Sequence, residues 1–154
     1  MILLDVNVLV RVHRKDFADQ VALVGWLERT LIGDQPVAIA DHVWLGVYRI
    51  VTNPRIFKTP STAREALKFL EQVLSAPAAI RVVPSVNCFE RMKVWGVRGD
   101  IRGDRVPDCF LASLAVELGA TLVTLDTGFS GYTGLKWRRP LDRETRTNQA
   151  TRPR

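Results

Sequence analysis

Two cysteines, Cys88 and Cys109, are all that the 154 residues contain, so a disulfide framework is not what holds this chain together. Cys109 lies in an apolar helical run, where a buried free thiol is the expected state. Histidine is equally scarce. Neither His13 nor His42 stands in a recognisable motif with a serine or cysteine, which leaves a histidine-activated nucleophile without support. Both are expected at the surface or as satisfied helix-end groups. No apolar stretch reaches the ~20 residues of a membrane-spanning helix. Asp5 and Asn7 interrupt the first apolar run, and no basic segment precedes it, so it does not read as a secretory signal. The expectation is a cytoplasmic protein with no membrane partner.

What is present fits one ordinary domain with a real core. Apolar residues make up 47% of the chain and charged residues 25%, a profile of globular proteins. The formal charge is +6, of which +2 comes from residues 141–154 and +4 from the rest. A basic body with acids gathered at one spot points to a polyanionic substrate.

Short apolar runs alternate with longer amphipathic ones. Ile2–Leu4, Val37–Ala40, Ile80–Val83 and Thr121–Leu125 read as strands, and Leu135–Trp137 as a final edge strand. Helices are expected from Asn7, which could cap the first, and from about Phe17 to Ile32 with Val21, Val24, Trp26, Leu27 and Leu31 as its apolar positions. Further helices follow over Asp41–Val51 with Asp41 as cap, over Ser61–Leu74, over Val86–Trp95, and from Pro107 to Gly119. Thr62 and Glu65 have capping-box spacing. A loop is expected over Gly96–Arg105. This alternation predicts an α/β class, a three-layer α/β/α domain with a mainly parallel central sheet, over residues 1–140. Residues 141–154 read as a basic, mobile tail.

Three carboxylates stand at the ends of these runs. Asp5 follows Met1–Leu4, Asp126 follows Thr121–Leu125, and Asp108 opens the run from Cys109 to Leu118. Each has a plainer explanation: Asp5 as a helix cap, Asp126 in an Asp-Thr-Gly turn, Asp108 as a charge at a helix N-terminus. Taken together they fit the carboxyl edge of a parallel sheet, where ligands bind. Acids gathered there repel unless protonated or bridged by a cation, and a hard divalent ion suits such oxygens.

In order along the chain, Leu4-Asp5-Val6-Asn7-Val8-Leu9, Arg49–Phe57, Val106-Pro107-Asp108 through Thr121, and Val123–Phe129 through Gly134–Trp137 resemble PIN-domain proteins, specifically VapC-type toxins of bacterial toxin–antitoxin pairs. The resemblance covers nearly all of residues 1–140. It implies an endoribonuclease dependent on Mg²⁺ or Mn²⁺, with Asp5, Asp108 and Asp126 both catalytic and metal-holding. It further implies an RNA substrate such as tRNA or rRNA, a VapB-type antitoxin as inhibitor, and a homodimer or toxin–antitoxin hetero-oligomer. Asn7 and Thr124 could orient carboxylates or waters from behind, or serve only as caps and strand-end bonds.

One departure stands out. Many PIN nucleases carry a further glutamate where this chain has Gly46, which offers no ligand. Asp104, close to Asp108 in sequence, and Asp41 are the candidate replacements, Asp104 first; a loop acid and a helix cap are their plainer roles. Arg11, Arg14, Lys15, Arg102 and Arg105 are the basic residues expected near the acidic edge, with Trp44 or Tyr48 as bases' stacking partners; for each, a solvated rim or core packing is the commoner role. Glu117 is expected to be solvated. Two other functions remain open. One is an inactive PIN-like module that binds RNA or protein, motivated by Gly46. The other is a phosphatase with Asp5 as nucleophile, which Asn7 disfavours because an acid is expected two residues on.

Overall fold

Ile2, Leu3 and Leu4 form the strand β1 (Ile2–Leu4) at the centre of the sheet, every side chain buried. The structure is a computed structural model, and it describes residues 1–142 and 146–148. The remaining strands are β2 (Val37–Ala40), β3 (Ala79–Val82), β4 (Thr121–Val123), β5 (Lys136–Arg138) and β6 (Arg146–Thr147). The helices are α1 (Val6–His13), α2 (Gln20–Leu31), α3 (Asp41–Val51), α4 (Ala63–Leu74), α5 (Val86–Arg98) and α6 (Arg105–Glu117).

The sheet order is β3-β2-β1-β4-β5-β6, parallel throughout except for β6, which runs antiparallel to β5. This is the expected three-layer α/β/α arrangement. β1 and β2 are buried on both faces, which is why their sequences are continuously apolar rather than alternating. β3, at the edge, is more exposed. Right-handed crossovers carry the chain outward from β1 to β3 on one face and back to β4 on the other. Accordingly α1 packs on α2 and α3, α3 packs on α4, and α5 packs on α6.

That reversal makes β1 and β4 neighbours, paired Ile2 to Thr121, Leu3 to Leu122 and Leu4 to Val123. Chains leave these two strands in opposite directions, and the crevice between them is the topological switch point. Asp5 and Asp126 stand at its mouth.

Several local expectations are corrected. Val21, assigned to the apolar face of α2, is 81% exposed. Neither Asn7 nor Asp41 caps a helix. Asp5 and Ala40 occupy those positions, without side-chain capping bonds. The capping box of Thr62 and Glu65 forms as its spacing predicts. Gly96 does not end α5, which runs three residues beyond Trp95 to Arg98 and shortens the expected loop. β5 is not an edge strand, because β6 pairs outside it. β6 falls inside the stretch read as a tail; residues 143–145 and 149–154 of that stretch lie outside the described residues. Cys88 and Cys109 are both buried free thiols. Among the described residues no helix is long and apolar enough to cross a membrane.

Candidate active site at the switch point

Asp5 is only 6% exposed, and its carboxylate is held from behind by the end of β4. Thr124 Oγ1 donates to Asp5 Oδ2 at 2.6 Å and Asn7 Nδ2 donates to the same oxygen at 2.7 Å. Asn7 also reaches Thr124 Oγ1 at 3.0 Å, while its own Oδ1 accepts from the Leu125 amide at 3.0 Å. Thr124 Oγ1 in turn accepts from the Asp126 amide at 3.0 Å. Asn7 and Thr124 therefore clamp the ends of β1 and β4 together. Both side-chain donors go to Oδ2, and the Val6 amide also bonds the carboxylate.

Asp126 follows directly, its Oδ1 accepting from the Gly128 amide at 2.7 Å and capping a 3-10 turn over Thr127–Gly131. Asp108 comes from the first turn of α6. The turn role and the helix-end role anticipated for these two acids are both real. They do not exclude a shared site.

The three carboxylates feel one another. Burial, first, pushes Asp5 up to about 6; the Thr124 and Val6 hydrogen bonds act against this, and the charges of Asp108 and Asp126 add to it. Asp108 is likewise raised, by burial first and then by Asp126, with Arg105 opposing and Asp104 adding. No ion pair among the described residues involves Asp5, Asp108 or Asp126. Such a set calls for protons or for a bound cation. Among the described residues, however, no three acidic, histidine or cysteine side chains converge closely enough to grip a metal as they stand. Hard oxygen donors and uncompensated negative charge fit a divalent ion; a closed cage is not preformed.

Asp108 separates two cavities. One, of about 730 Å³, is walled by Asp5, Asp104, Asp108, His42, Gly46 and Arg49, among others. The other, of about 720 Å³, is lined by Asp108, Asp126, Arg91, Trp95, Arg98 and Arg105, among others.

The two candidate replacements for the missing acid separate clearly. Asp104 occupies the N-cap position of α6 without a capping bond and lines the first cavity. Asp41 instead binds Arg81 at 2.9 and 3.0 Å and Trp44 Nε1 at 3.1 Å, away from that cavity. Gly46 does face the cavity, but its surroundings have adapted: a Cβ there would lie 3.0 Å from Val6 Cγ2.

Both histidines depart from expectation. His42, one helical turn before Gly46 on the same face of α3, lines the first cavity. Its ring meets Phe110 edge-on at 4.7 Å, and its buried Nε2 has no hydrogen-bond partner among the described residues. His13 does have a serine partner, with Nε2 2.9 Å from Ser61 Oγ, a contact that ties α1 to the chain entering α4. Nor is Glu117 simply solvated: it accepts from the Ser85 amide at 3.0 Å and from Ser85 Oγ at 2.9 Å.

Of the expected basic rim, Arg11 does line the first cavity beside Asp5 and Asp108, and most of the group is already paired. Arg11 is bound to Asp19, Arg14 to Asp16 and Arg102 to Asp100. Lys15 lines a different hollow with His13 and Ser61. Arg105 lines the second cavity with Asp108 and acts on its charge. Trp44 and Tyr48 pack against the core and line neither cavity. Arg91, Trp95 and Arg98 were missed, although their spacing places all three on one helical face.

Comparison with known proteins agrees with this geometry. Residues 2–135 match the PIN domain family model. A VapC ribonuclease of Mycobacterium bovis is 37% identical over 145 residues, covering 94% of this chain and 99% of the relative. Ribonuclease VapC25 of Mycobacterium tuberculosis is 33% identical over 140 residues, covering 91% and 99%. Among solved structures, VapBC2 from Rickettsia felis bound to a promoter DNA fragment is similar with a TM-score of 0.66 at 24% identity, over 90% of this chain and 98% of that one. A paired switch-point acid, a third on the helix beside it and these relatives lead to one conclusion: the chain belongs to the PIN-domain family and is of the VapC type.

Proposed function

We propose that this protein is the toxin of a toxin–antitoxin pair, an endoribonuclease that hydrolyses RNA phosphodiester bonds with Mg²⁺ or Mn²⁺ and is neutralised by a VapB-type antitoxin. The observation that carries the reading is the coupling of Asp5, Asp108 and Asp126 at the β1–β4 crevice, with no ion pair to any of them among the described residues. The ribonuclease names of relatives at 33–37% identity support it.

In this reading Asp5, Asp108 and Asp126 hold the ion, and Asp104 contributes from the edge. A bound divalent ion supplies charge neutralisation at the phosphate and lowers the pKa of water. The residues do the rest. Thr124 and Asn7 fix the Asp5 carboxylate so that little reorganisation is needed as charge develops. Arg105 offsets the negative field at Asp108, which eases the approach of a polyanion. Asn7, bound to Asp5 and Leu125, stands where a phosphoaspartate route calls for a second acid.

The purified chain, free of inhibitor, should cut RNA with Mg²⁺ or Mn²⁺ and stop in EDTA. Asp5→Asn, Asp108→Asn and Asp126→Asn should each lower the rate at least ~100-fold, the scale of losing a preorganised electrostatic group, while Asp104→Asn should lower it less. Gly46 and the open arrangement of the acids favour a second reading, an inactive RNA- or protein-binding module. RNA binding with no metal-dependent cleavage across several RNAs would establish that one instead.

A further inference from the structure

We propose that the cavity between α5 and the Thr127–Gly131 turn is a nucleotide subsite that takes unpaired RNA next to the phosphate being cut. This rests on the ribonuclease reading above and extends it to substrate class.

Arg91, Trp95 and Arg98 project from one face of α5, at i, i+4 and i+7, and Arg105 adds a third guanidinium from the start of α6. Among the described residues none of the three arginines has an ion pair or a hydrogen bond to a protein acceptor; Arg91 lies over the Trp95 ring at 5.8 Å. The contrast with Arg11, Arg14 and Arg102, each bound to an aspartate, is direct. Guanidinium groups gathered without acceptors repel one another and favour an anion between them.

Asp108 and Asp126 line the same cavity, so an occupant must satisfy the arginines and these carboxylates together. A strand whose scissile phosphate sits at those acids meets this condition, because its next phosphate lies one nucleotide along, towards the arginines. An acidic peptide gains the arginines but has no reason to approach the carboxylates. Trp95 is half-buried and braced by Tyr132 at 5.1 Å between ring centroids, a fixed aromatic surface for a base. A concave site of about 720 Å³ admits a splayed nucleotide, whereas a duplex keeps its bases stacked inward. Asp108, shared with the neighbouring cavity, then marks where the strand crosses the acids.

The test is binding of a labelled single-stranded oligouridylate to the full chain in EDTA, read by fluorescence anisotropy over roughly 50–200 mM salt. Arg91→Ala and Arg98→Ala are expected to weaken binding and each to flatten the plot of log Kd against log salt by about 0.7. Trp95→Leu should weaken binding about 5- to 100-fold with the slope unchanged. A duplex RNA should bind more weakly than the single strand and ignore Trp95→Leu. Arg64→Ala, on exposed α4, is the control and should change nothing. If Trp95→Leu does not fold, the exposed Arg98 carries the test alone.

Wild-type affinity and slope in Arg98→Ala would overturn the subsite. So would intact RNA binding combined with lost neutralisation by the antitoxin, which would mark a peptide-binding surface. Because binding is read without metal, RNA held through these residues but never cut would sink the ribonuclease reading and leave the subsite standing. Cleavage that is indifferent to all three substitutions would do the reverse.

Discussion

Asp5 carries the largest electrostatic cost in the site. Its carboxyl is pushed up to about 6, chiefly by burial, and unfolding returns it to the ordinary carboxylate value. The stability due to a neutral Asp5 is therefore fully present below about pH 4 and is lost as the pH rises through about 6. At pH 8 the buried charge destabilises the metal-free fold by up to about 3 kcal/mol. Asp5→Asn cannot ionise, so in EDTA it should melt above wild type at pH 8 and together with it near pH 4. Calorimetry at both pH values checks this, and a variant that melts lower at pH 8 contradicts it. Mg²⁺ should raise the melting temperature of wild type and leave the variant nearly unmoved. The loss of an acid at position 46 is a second residue-scale question. Gly46→Glu gains about 0.5–1 kcal/mol of helix propensity but drives a Cβ to 3.0 Å from Val6 Cγ2, and overpacking costs about 1–3 kcal/mol. Val6→Ala with Gly46→Glu is expected to be more stable than Gly46→Glu alone in urea unfolding. The reverse order would show that Val6 yields without help.

At the scale of elements, the sequence disclosed what burial writes into it. β1, β2 and the helix from Asp108 onward were legible because continuous apolar runs record burial on both faces, and the Thr62–Glu65 box marked the start of α4. What escaped was set by tertiary contact. Gly96 reads as a stop, but α5 continues past it because its helix packs along α6. That extension is what carries Arg98 to the cavity. Arg11 does reach the acidic cavity, yet Asp19 already holds it, and Asp16 holds Arg14. Nothing local reveals such partners, nor that Glu117 reaches Ser85 across 32 positions. Ser85 caps Asn87 and binds Glu117 at once, fastening the first turn of α5 to α6. Ser85→Ala should cost about 1 kcal/mol and speed amide exchange over the first turn of α5 more than in α4. Uniform exchange in both helices would show that the cap does not hold α5.

For the whole molecule, the strand order explains why three acids distant in the chain share an edge. β1 and β4 are neighbours only because the crossover direction reverses between β3 and β4, and residues 5 and 126 meet at that reversal. The adjacency depends on the central pairing. Leu122, fully buried between β1 and β5, should cost about 2–5 kcal/mol when cut to alanine, read as a lower urea midpoint at unchanged m-value. Excess positive charge is distributed over the body, while the crevice keeps its own sign negative. The most direct test of this account is calorimetric titration of Mn²⁺ into the metal-free wild type and into Asp5→Asn, Asp108→Asn and Asp126→Asn. The account predicts saturable binding to wild type and affinity at least ~10-fold weaker in every variant, as for loss of a metal-orienting group. Equal Mn²⁺ affinity in all four proteins would contradict it.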